Sequence, residues 1–281
     1  MNPQRASALA LALVVLLGIW PCSAGAQPAL GFDPPAPKDL VVPEFADRDV
    51  DGLLAALDSA LVGRQPAPSP DEAAYTLWTF VRRLQVGRLT PSQEASVLER
   101  LLALGRAHAD YRNPIEQASF MVRALTVGKT APGAAGQDLQ GNAFSLSDYR
   151  GKVVVLTFSA DWCAICRTQY PYYRLMQDLY SNWPFAILGV ETGAREAVSR
   201  LKTQHRLTYR SWWDGAGTDG ARGPIASAWN VLGWPTTYVL DADGVVRFVD
   251  LRDEDLLKGV RQLLAEQADS AAEAAAQPHR Q

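Results

Sequence analysis

The chain has 281 residues, enough for two ordinary domains, and its 48% hydrophobic content is that of a globular protein. It carries 27 basic and 30 acidic residues, with a formal net charge of −3 and no long run of one sign. This charge balance gives no electrostatic reason to expect a nucleic acid partner, so we exclude RNA-binding and DNA-binding functions.

The first 26 residues have the three parts of a secretory signal peptide. Arg5 stands near the start, an apolar stretch runs from Ala6 to Trp20, and small residues end at Ala26. The apolar stretch is shorter than the roughly 20 residues that a membrane-spanning helix needs. We therefore predict cleavage after Ala26 and export to the periplasm or another extracytoplasmic space. Lipid attachment at Cys22 is the alternative, although the residues before Cys22 match a lipobox poorly.

Residues 27–45 are rich in proline and lack an apolar period, which predicts an extended arm. Residues 46–126 carry apolar residues at three- and four-residue spacings, which predicts a small all-helical domain. Three helix starts look alike, at Ser69, Thr90 and Asn113. Each combines an N-cap residue, proline at the first helical position and Glu or Gln three residues after the cap. The pattern fits an up-and-down bundle or a helical repeat, and the role of this domain stays open.

A second domain is predicted over residues 127–267, where apolar runs alternate with helical stretches. The runs lie at 153–158, 185–190 and 236–241, and the helical stretches near 163–182, 194–206 and 223–231. This order predicts a sheet covered by helices with right-handed crossovers. Asp243 and Gly244 predict a hairpin turn between two antiparallel strands. A closing helix from Asp253 to Ala265 and a frayed tail over 268–281 are expected to end the chain.

Cys163 and Cys166 directly follow the first of these apolar runs and are separated by two residues. If a helix begins at Cys163, its sulfur lies at the helix N-terminus, where unpaired N–H groups and the helix dipole favour a thiolate. Cys166, one turn further on, is placed to attack a mixed disulfide on Cys163 and release the partner. The spacing therefore predicts a redox dithiol with Cys163 as nucleophile and Cys166 as resolving thiol.

Two other roles for the cysteine pair are a structural disulfide and half of a zinc site. A disulfide that closes so short a loop constrains the unfolded chain by only about 2 kcal/mol. Zinc normally needs four ligands, and the remaining candidates are Cys22 and three histidines that are not paired at ligand spacing. We expect no metal and no dissociable cofactor.

The second domain resembles the thioredoxin fold and, within it, the exported thioredoxin-like proteins of the TlpA and ResA kind. The matching segments cover about half the chain: Gly141–Val153, Trp162–Arg167, Pro171 and Gly233–Tyr238. The resemblance implies an α/β thioredoxin-like fold, a central mixed sheet flanked by helices, here preceded by a small all-α domain. It also implies that Pro235 is cis and lies against the dithiol, and that the backbone beside it pairs with the substrate chain. Pro171 is expected to kink its helix rather than end it.

The chain departs from the family pattern at three positions. Thr157 replaces the buried acidic residue of many relatives, and Gln169 replaces a frequent glutamate. Trp234 is bulkier than the usual Val or Thr, and we expect it to cover the disulfide together with Trp162. Trp162, Trp234 and Pro235 are therefore the predicted substrate-binding residues. The stretch from Ser211 to Gly223 is expected either to form a loop beside the site or to supply tryptophans to the core.

The leading functional hypothesis is an exported thiol-disulfide oxidoreductase. The resemblance favours a reductase that receives electrons from a membrane thiol donor and acts on disulfides of exported proteins, such as apocytochrome c in cytochrome c biogenesis or copper-site cysteines. One alternative is a thiol peroxidase, whose motif would place proline at Leu156 and Thr or Ser at Ala160. The other is a non-catalytic binding protein that grips its partner with the helical domain.

Overall fold

The computed structural model describes residues 49–215 and 222–276. The predicted signal peptide, Cys22 and the proline-rich arm lie outside the described residues, as do residues 277–281. Within the described part, no helix combines the length and the apolar character needed to cross a membrane.

Helices alone form the first part of the described chain, as the apolar spacings predict. They are α1 (Val50–Leu61), α2 (Pro70–Leu84), α3 (Pro91–Ala107) and α4 (Arg112–Ala124), with a short 3-10 helix at Ala109–Tyr111 before α4. We call residues 50–124 the helical region. Ser69 and Thr90 each form the predicted capping box, in which the hydroxyl accepts from the N3 backbone N–H and the N3 side chain bonds the cap backbone.

Asn113 is not an N-cap, contrary to the prediction. The 3-10 helix runs directly into α4, so Asn113 already lies inside the first turn and Tyr111 occupies the cap position without a side-chain cap bond. Tyr111 is instead fixed by its hydroxyl, which donates to the Pro68 carbonyl at 2.7 Å. The 3-10 helix therefore supplies the first turn, which an N-cap at Asn113 would otherwise have started.

A small hairpin of β1 (Ala135–Gln137) and β2 (Ala143–Ser145) begins the second part, and a five-stranded mixed sheet follows. The strands of this sheet are β3 (Val153–Ala160), β4 (Phe185–Thr192), β5 (Arg210–Trp213), β6 (Thr236–Leu240) and β7 (Val246–Val249). Their order across the sheet is β5-β4-β3-β6-β7. The pairs β3/β4 and β4/β5 are parallel, whereas β3/β6 and β6/β7 are antiparallel. The predicted hairpin at Asp243 and Gly244 and the mixed sheet are confirmed.

β3 is buried along its whole length, since helices cover both faces of the sheet. These helices are α5 (Ala164–Thr168), α6 (Tyr170–Leu179), α7 (Arg195–Gln204), α8 (Pro224–Ala228) and α9 (Asp253–Ala276). Val153 and Val155 of β3 share a hydrophobic cluster with α6 and α9. Leu156 and Phe158 belong to a second cluster that includes the buried faces of α1 to α4. The helical region and one face of the sheet thus share a core.

Three elements differ from the sequence predictions. The helix expected over 163–182 is interrupted at Gln169 between α5 and α6 rather than only kinked, since Pro171 has no N–H to donate to the preceding turn. Helix α9 continues to Ala276, past the expected end at Ala265, because alanine has the highest helix propensity. The aromatic stretch after Tyr209 begins with edge strand β5, and Trp212 is fully buried against Phe144. The core role predicted for its tryptophans is confirmed for Trp212; residues 216–221 lie outside the described residues.

Candidate functional site

The two cysteines follow β3 and lie at the start of α5. The Cys163 N–H donates to the Ala160 carbonyl at 3.1 Å, and helix α5 begins at the next residue, Ala164. Cys163 is therefore the N-cap residue, as predicted. Its sulfur accepts a hydrogen bond from the Cys166 backbone N–H at 3.0 Å. The two residues form a disulfide in which Cys163 is 6% exposed and Cys166 is 2% exposed.

Two tryptophans from different segments lie beside the disulfide. Trp234 packs against the small cluster formed by Ala160, Cys163 and Cys166. Its ring meets that of Trp162 edge-on, with centroids 5.3 Å apart. Trp162 itself is 46% exposed, so an apolar surface borders the sulfurs. Of the residues predicted for the site, the structure brings together Cys163, Cys166, Trp162 and Trp234.

The peptide bond between Trp234 and Pro235 is cis, as the resemblance implies. Pro235 is buried, and its carbonyl accepts a hydrogen bond from the Arg252 guanidinium at 3.0 Å. Two residues later, the backbone N–H of Thr237 donates to an Asp250 carboxylate oxygen at 3.1 Å, and the Asp250 N–H donates to the Thr237 carbonyl at 2.7 Å. The chain that carries Pro235 is thus fixed by the segment that follows β7.

Helix α2 of the helical region reaches the same segment through Arg82. The Arg82 guanidinium forms an ion pair with Asp250 and donates hydrogen bonds to the Tyr238 hydroxyl at 3.1 Å and to the Gln85 side-chain oxygen at 2.7 Å. Sequence reasoning missed Arg82 and Asp250. A cation near the end of a helix ordinarily faces water, so the sequence of α2 does not mark Arg82 as buried. Asp250 has a positive φ of 56°, but the sequence does not reveal that backbone angle.

On β3, Thr157 is fully buried, and its hydroxyl lies 3.0 Å from the Tyr173 hydroxyl. A different residue is a buried acid: Glu191, on β4 directly beside Ser159 of β3. Burial raises the pKa of Glu191, while Lys202 and hydroxyl hydrogen bonds oppose that shift. Sequence analysis missed Glu191 because it ends an apolar run whose pattern indicates only a buried strand.

Lys202 of α7 is joined to Glu191 through Ser211. The Lys202 ammonium donates to the Ser211 hydroxyl at 2.7 Å, and that hydroxyl donates to Glu191 Oε1 at 3.4 Å. Desolvation lowers the pKa of Lys202 to about 8, against a smaller raising effect of Glu191. The ammonium also donates to the Tyr209 carbonyl at 2.8 Å. These bonds connect β5 to α7 at the edge of the sheet.

Contacts with Asp253 explain why residue 169 is glutamine rather than the glutamate that the family resemblance leads us to expect. Its side-chain N–H donates to an Asp253 carboxylate oxygen at 2.9 Å, and its oxygen accepts from the Asp253 N–H at 2.9 Å. An amide supplies both a donor and an acceptor, whereas a glutamate would face Asp253 with a second negative charge. Gln169 therefore joins the interruption between α5 and α6 to the first residue of α9. In the described part of the chain, His, Cys, Asp and Glu side chains form no group of three or more that could hold a metal ion.

Known proteins are similar to this chain over the residues that carry the dithiol. The model of the AhpC/TSA family matches residues 127–249, which contain the dithiol and the cis proline. The thiol-disulfide oxidoreductase ResA of Geobacillus kaustophilus is 34% identical over 125 residues, which cover 44% of this chain and 68% of that protein. The thioredoxin-like protein YneN of Bacillus subtilis is 32% identical over 124 residues, covering 43% of this chain and 68% of YneN.

The thioredoxin domain of a thiol-disulfide oxidoreductase from Bacteroides vulgatus is 26% identical, with a TM-score of 0.45, and the match covers 50% of this chain and 99% of that one. The helical region precedes the residues that the family model matches. From the identity to ResA over more than two thirds of its length, we conclude that this chain belongs to the ResA family of thiol-disulfide oxidoreductases, enzymes of thioredoxin-like fold.

Proposed function

We propose that this protein reduces disulfides of exported proteins through Cys163 and Cys166. The Cys163 thiolate attacks one sulfur of the substrate disulfide, the substrate S–S bond breaks, and one substrate sulfur leaves as a thiolate that takes a proton from water. The Cys166 thiol then gives its proton to water and attacks the Cys163 sulfur, which closes the enzyme disulfide and expels the second substrate sulfur as a thiolate that is protonated by water. The substrate gains two electrons and the enzyme dithiol loses two.

The assignment of the two sulfurs rests on one observation, the hydrogen bond from the Cys166 N–H to the Cys163 sulfur. After reduction, the same N–H is placed to stabilise negative charge on Cys163, which favours its thiolate. Cys166 lies deeper, so an external disulfide meets Cys163 first. Both features support Cys163 as the nucleophile and Cys166 as the resolving thiol.

Trp162, Trp234 and Pro235 are the substrate-binding residues of this proposal. Trp234 packs against the cluster that contains both cysteines and meets the Trp162 ring, which supports a substrate sulfur in line with Cys163 lying beside these rings. The resemblance to the TlpA and ResA group supports the reducing direction and a membrane thiol donor. Export is supported by the signal-like first 26 residues. Apocytochrome c and copper-site proteins are the substrate classes that the resemblance suggests.

The exchange mechanism is tested by trapping. The reduced Cys166→Ser variant is expected to accumulate a mixed disulfide between Cys163 and insulin, detected by mass spectrometry. The Cys163→Ser variant is expected to form none. A mixed disulfide on Cys166 in the Cys163→Ser variant, at a rate equal to that of the Cys166→Ser variant, would contradict the assignment.

The two alternative functions have separate tests. A binding protein would keep its cellular phenotype in the Cys163→Ser, Cys166→Ser double variant, which we expect to lose it. A peroxidase would consume hydrogen peroxide in stoichiometric amounts when reduced. We expect only slow consumption, since Leu156 and Ala160 are buried residues of β3 where a peroxidase motif would have Pro and Thr or Ser.

A further inference from the structure

A strip of aromatic and apolar side chains runs from the dithiol across to α2 of the helical region. It consists of Tyr75, Trp78, Trp234, Trp162 and Ile165, and we call it the aromatic strip. Tyr75 is 59% exposed and Ile165 is 62% exposed, at the two ends. The strip places exposed apolar surface on both parts of the protein.

Contacts and chain neighbours join the strip from Tyr75 to Trp162, and Ile165 follows three residues after Trp162 in the chain. The rings of Tyr75 and Trp78 are 5.8 Å apart. Trp78 lies against Gly233 so closely that a Cβ on that glycine would be 2.8 Å from the indole ring. Gly233 directly precedes Trp234, whose ring meets Trp162 at 5.3 Å. The strip is therefore continuous from α2 to the residue before the nucleophile.

Arg82 holds α2 in this position. Its guanidinium lies 5.7 Å from the Trp78 ring centroid and 5.6 Å from that of Tyr238 on β6. The side chain is only 9% exposed and forms an ion pair with Asp250. Because a buried cation with these partners has one well-defined position, Trp78 is fixed relative to the strand that follows Pro235.

We infer that the aromatic strip is a docking surface for an apolar segment of the disulfide-bearing polypeptide, so that the helical region extends the substrate-binding surface. The inference rests on the proposed function. A polypeptide whose sulfur reaches Cys163 must cross Trp162 and Trp234, and the surface continues from these rings to Tyr75. The strip contains ring-to-ring steps of 5.8 Å and 5.3 Å that are joined through Gly233, and we match it with an extended chain of about five residues, which spans roughly 17 Å.

The chemistry of the strip selects an aromatic or large aliphatic side chain in the substrate. Tyr and Trp rings offer large apolar area and lose little conformational freedom when they bind, and aromatic pairs attract one another beyond their area. A substrate with such a side chain about five residues from its reactive cysteine would contact Tyr75 and Trp78 while its sulfur lies at Cys163. Small disulfides make no such contact.

The test uses two synthetic peptides, each with one cysteine in a mixed disulfide with 2-nitro-5-thiobenzoate, a good leaving group whose release is coloured. One peptide has tryptophan about five residues to either side of the cysteine, and the other has serine there. The reduced full chain is expected to react about tenfold faster with the tryptophan peptide. Tyr75→Ser and Trp78→Leu are each expected to lower this preference to about threefold or less.

Trp183→Ser and Leu102→Ser are the matched controls. Trp183 is 42% exposed just before β4, at the end of the sheet opposite the dithiol, and Leu102 is 57% exposed on α3. Both controls are expected to keep the full preference. Tyr75→Ser removes an exposed ring, so it tests the inference even if Trp78→Leu weakens folding.

Three results would overturn the inference. The first is equal reaction of the wild-type protein with both peptides, and the second is a preference that survives in both strip variants. The third is a wild-type dimer in sedimentation velocity that Tyr75→Ser makes monomeric, because the strip would then bind a second copy of this chain. A protein that reacts with neither peptide would overturn the proposed function as well, whereas the first result alone leaves it standing.

Discussion

Replacing Arg82 by methionine tests whether the helical region is coupled to the strand that follows the cis proline. Methionine keeps most of the apolar stem and removes the cation, its ion pair with Asp250 and its hydrogen bonds to Tyr238 and Gln85. The Arg82 side chain is 9% exposed, so water does not replace these bonds in the native protein. Arg82→Met should therefore destabilise the native fold through its lost partners.

The size of the effect follows from the burial of each partner. Removing one member of a buried ion pair costs about 3–5 kcal/mol, and a hydrogen bond to a charged group contributes about 1.5–3 kcal/mol. The Asp250 side chain is 34% exposed and regains hydration, which reduces the cost, whereas Gln85 is fully buried. We expect a loss of about 3 kcal/mol in the free energy of unfolding, a factor of roughly 150 in the folding equilibrium.

Arg100→Met is the matched control. Arg100 pairs with Asp58 within the helical region, and the two side chains are 38% and 34% exposed. An exposed pair of this kind contributes less than about 1 kcal/mol. Urea unfolding of the three proteins, followed by circular dichroism, measures both losses. Equal small losses in the two variants would refute the reasoning, since Arg82 would then contribute no more than a surface charge.

Three further predictions concern the site and its supports. Trp234→Val should raise the rate of exchange with a small disulfide several-fold, because it uncovers the sulfurs beside Trp162; unchanged rates with both small and protein disulfides would show that Trp234 does not restrict access. Gln169→Glu should lower the unfolding free energy by about 1–2 kcal/mol at neutral pH, because a carboxylate would face Asp253, and by less in acid, where carboxylates are protonated. Urea midpoints measured at both pH values test this, and an equal loss at the two pH values contradicts it. The pKa of Lys202 is lowered from 10.5 to about 8 in the folded protein, so the unfolded chain binds more protons between these values and stability rises with pH across that window. Relative to Lys202→Met, the wild type should gain about 1–2 kcal/mol from pH 8 to pH 10 in urea titrations, a gain whose absence would rule out the shift.

Local signals in the sequence were sufficient for much of the fold. The capping boxes at Ser69 and Thr90, the buried strand before Cys163 and the turn at Gly244 each depend on residues within a few positions of one another. The cis bond at Pro235 was expected from the family resemblance rather than from its spacing.

Contacts between distant segments could not be predicted. Arg82 meets Asp250 across more than half the chain, and neither residue carries a local pattern that names the other. Asn113 has the composition of a cap, yet the helix before it supplies the turn. Glu191 lies at the end of a buried strand, and its partner Lys202 comes from the following helix. In each case packing between segments determines the structure, and the hydrophobic periodicity of the sequence does not reveal it.

The reduction potential of the Cys163–Cys166 couple tests the proposed reductase most directly. It is measured on the chain from residue 27 onward, equilibrated in dithiothreitol or glutathione buffers, and about 30 mV corresponds to 1.4 kcal/mol. The account predicts a potential near or below about −230 mV, where thioredoxins and the more reducing glutaredoxins lie. A potential near −120 mV, that of a strong oxidant such as DsbA, would make the protein a disulfide donor and contradict the proposed direction of electron flow.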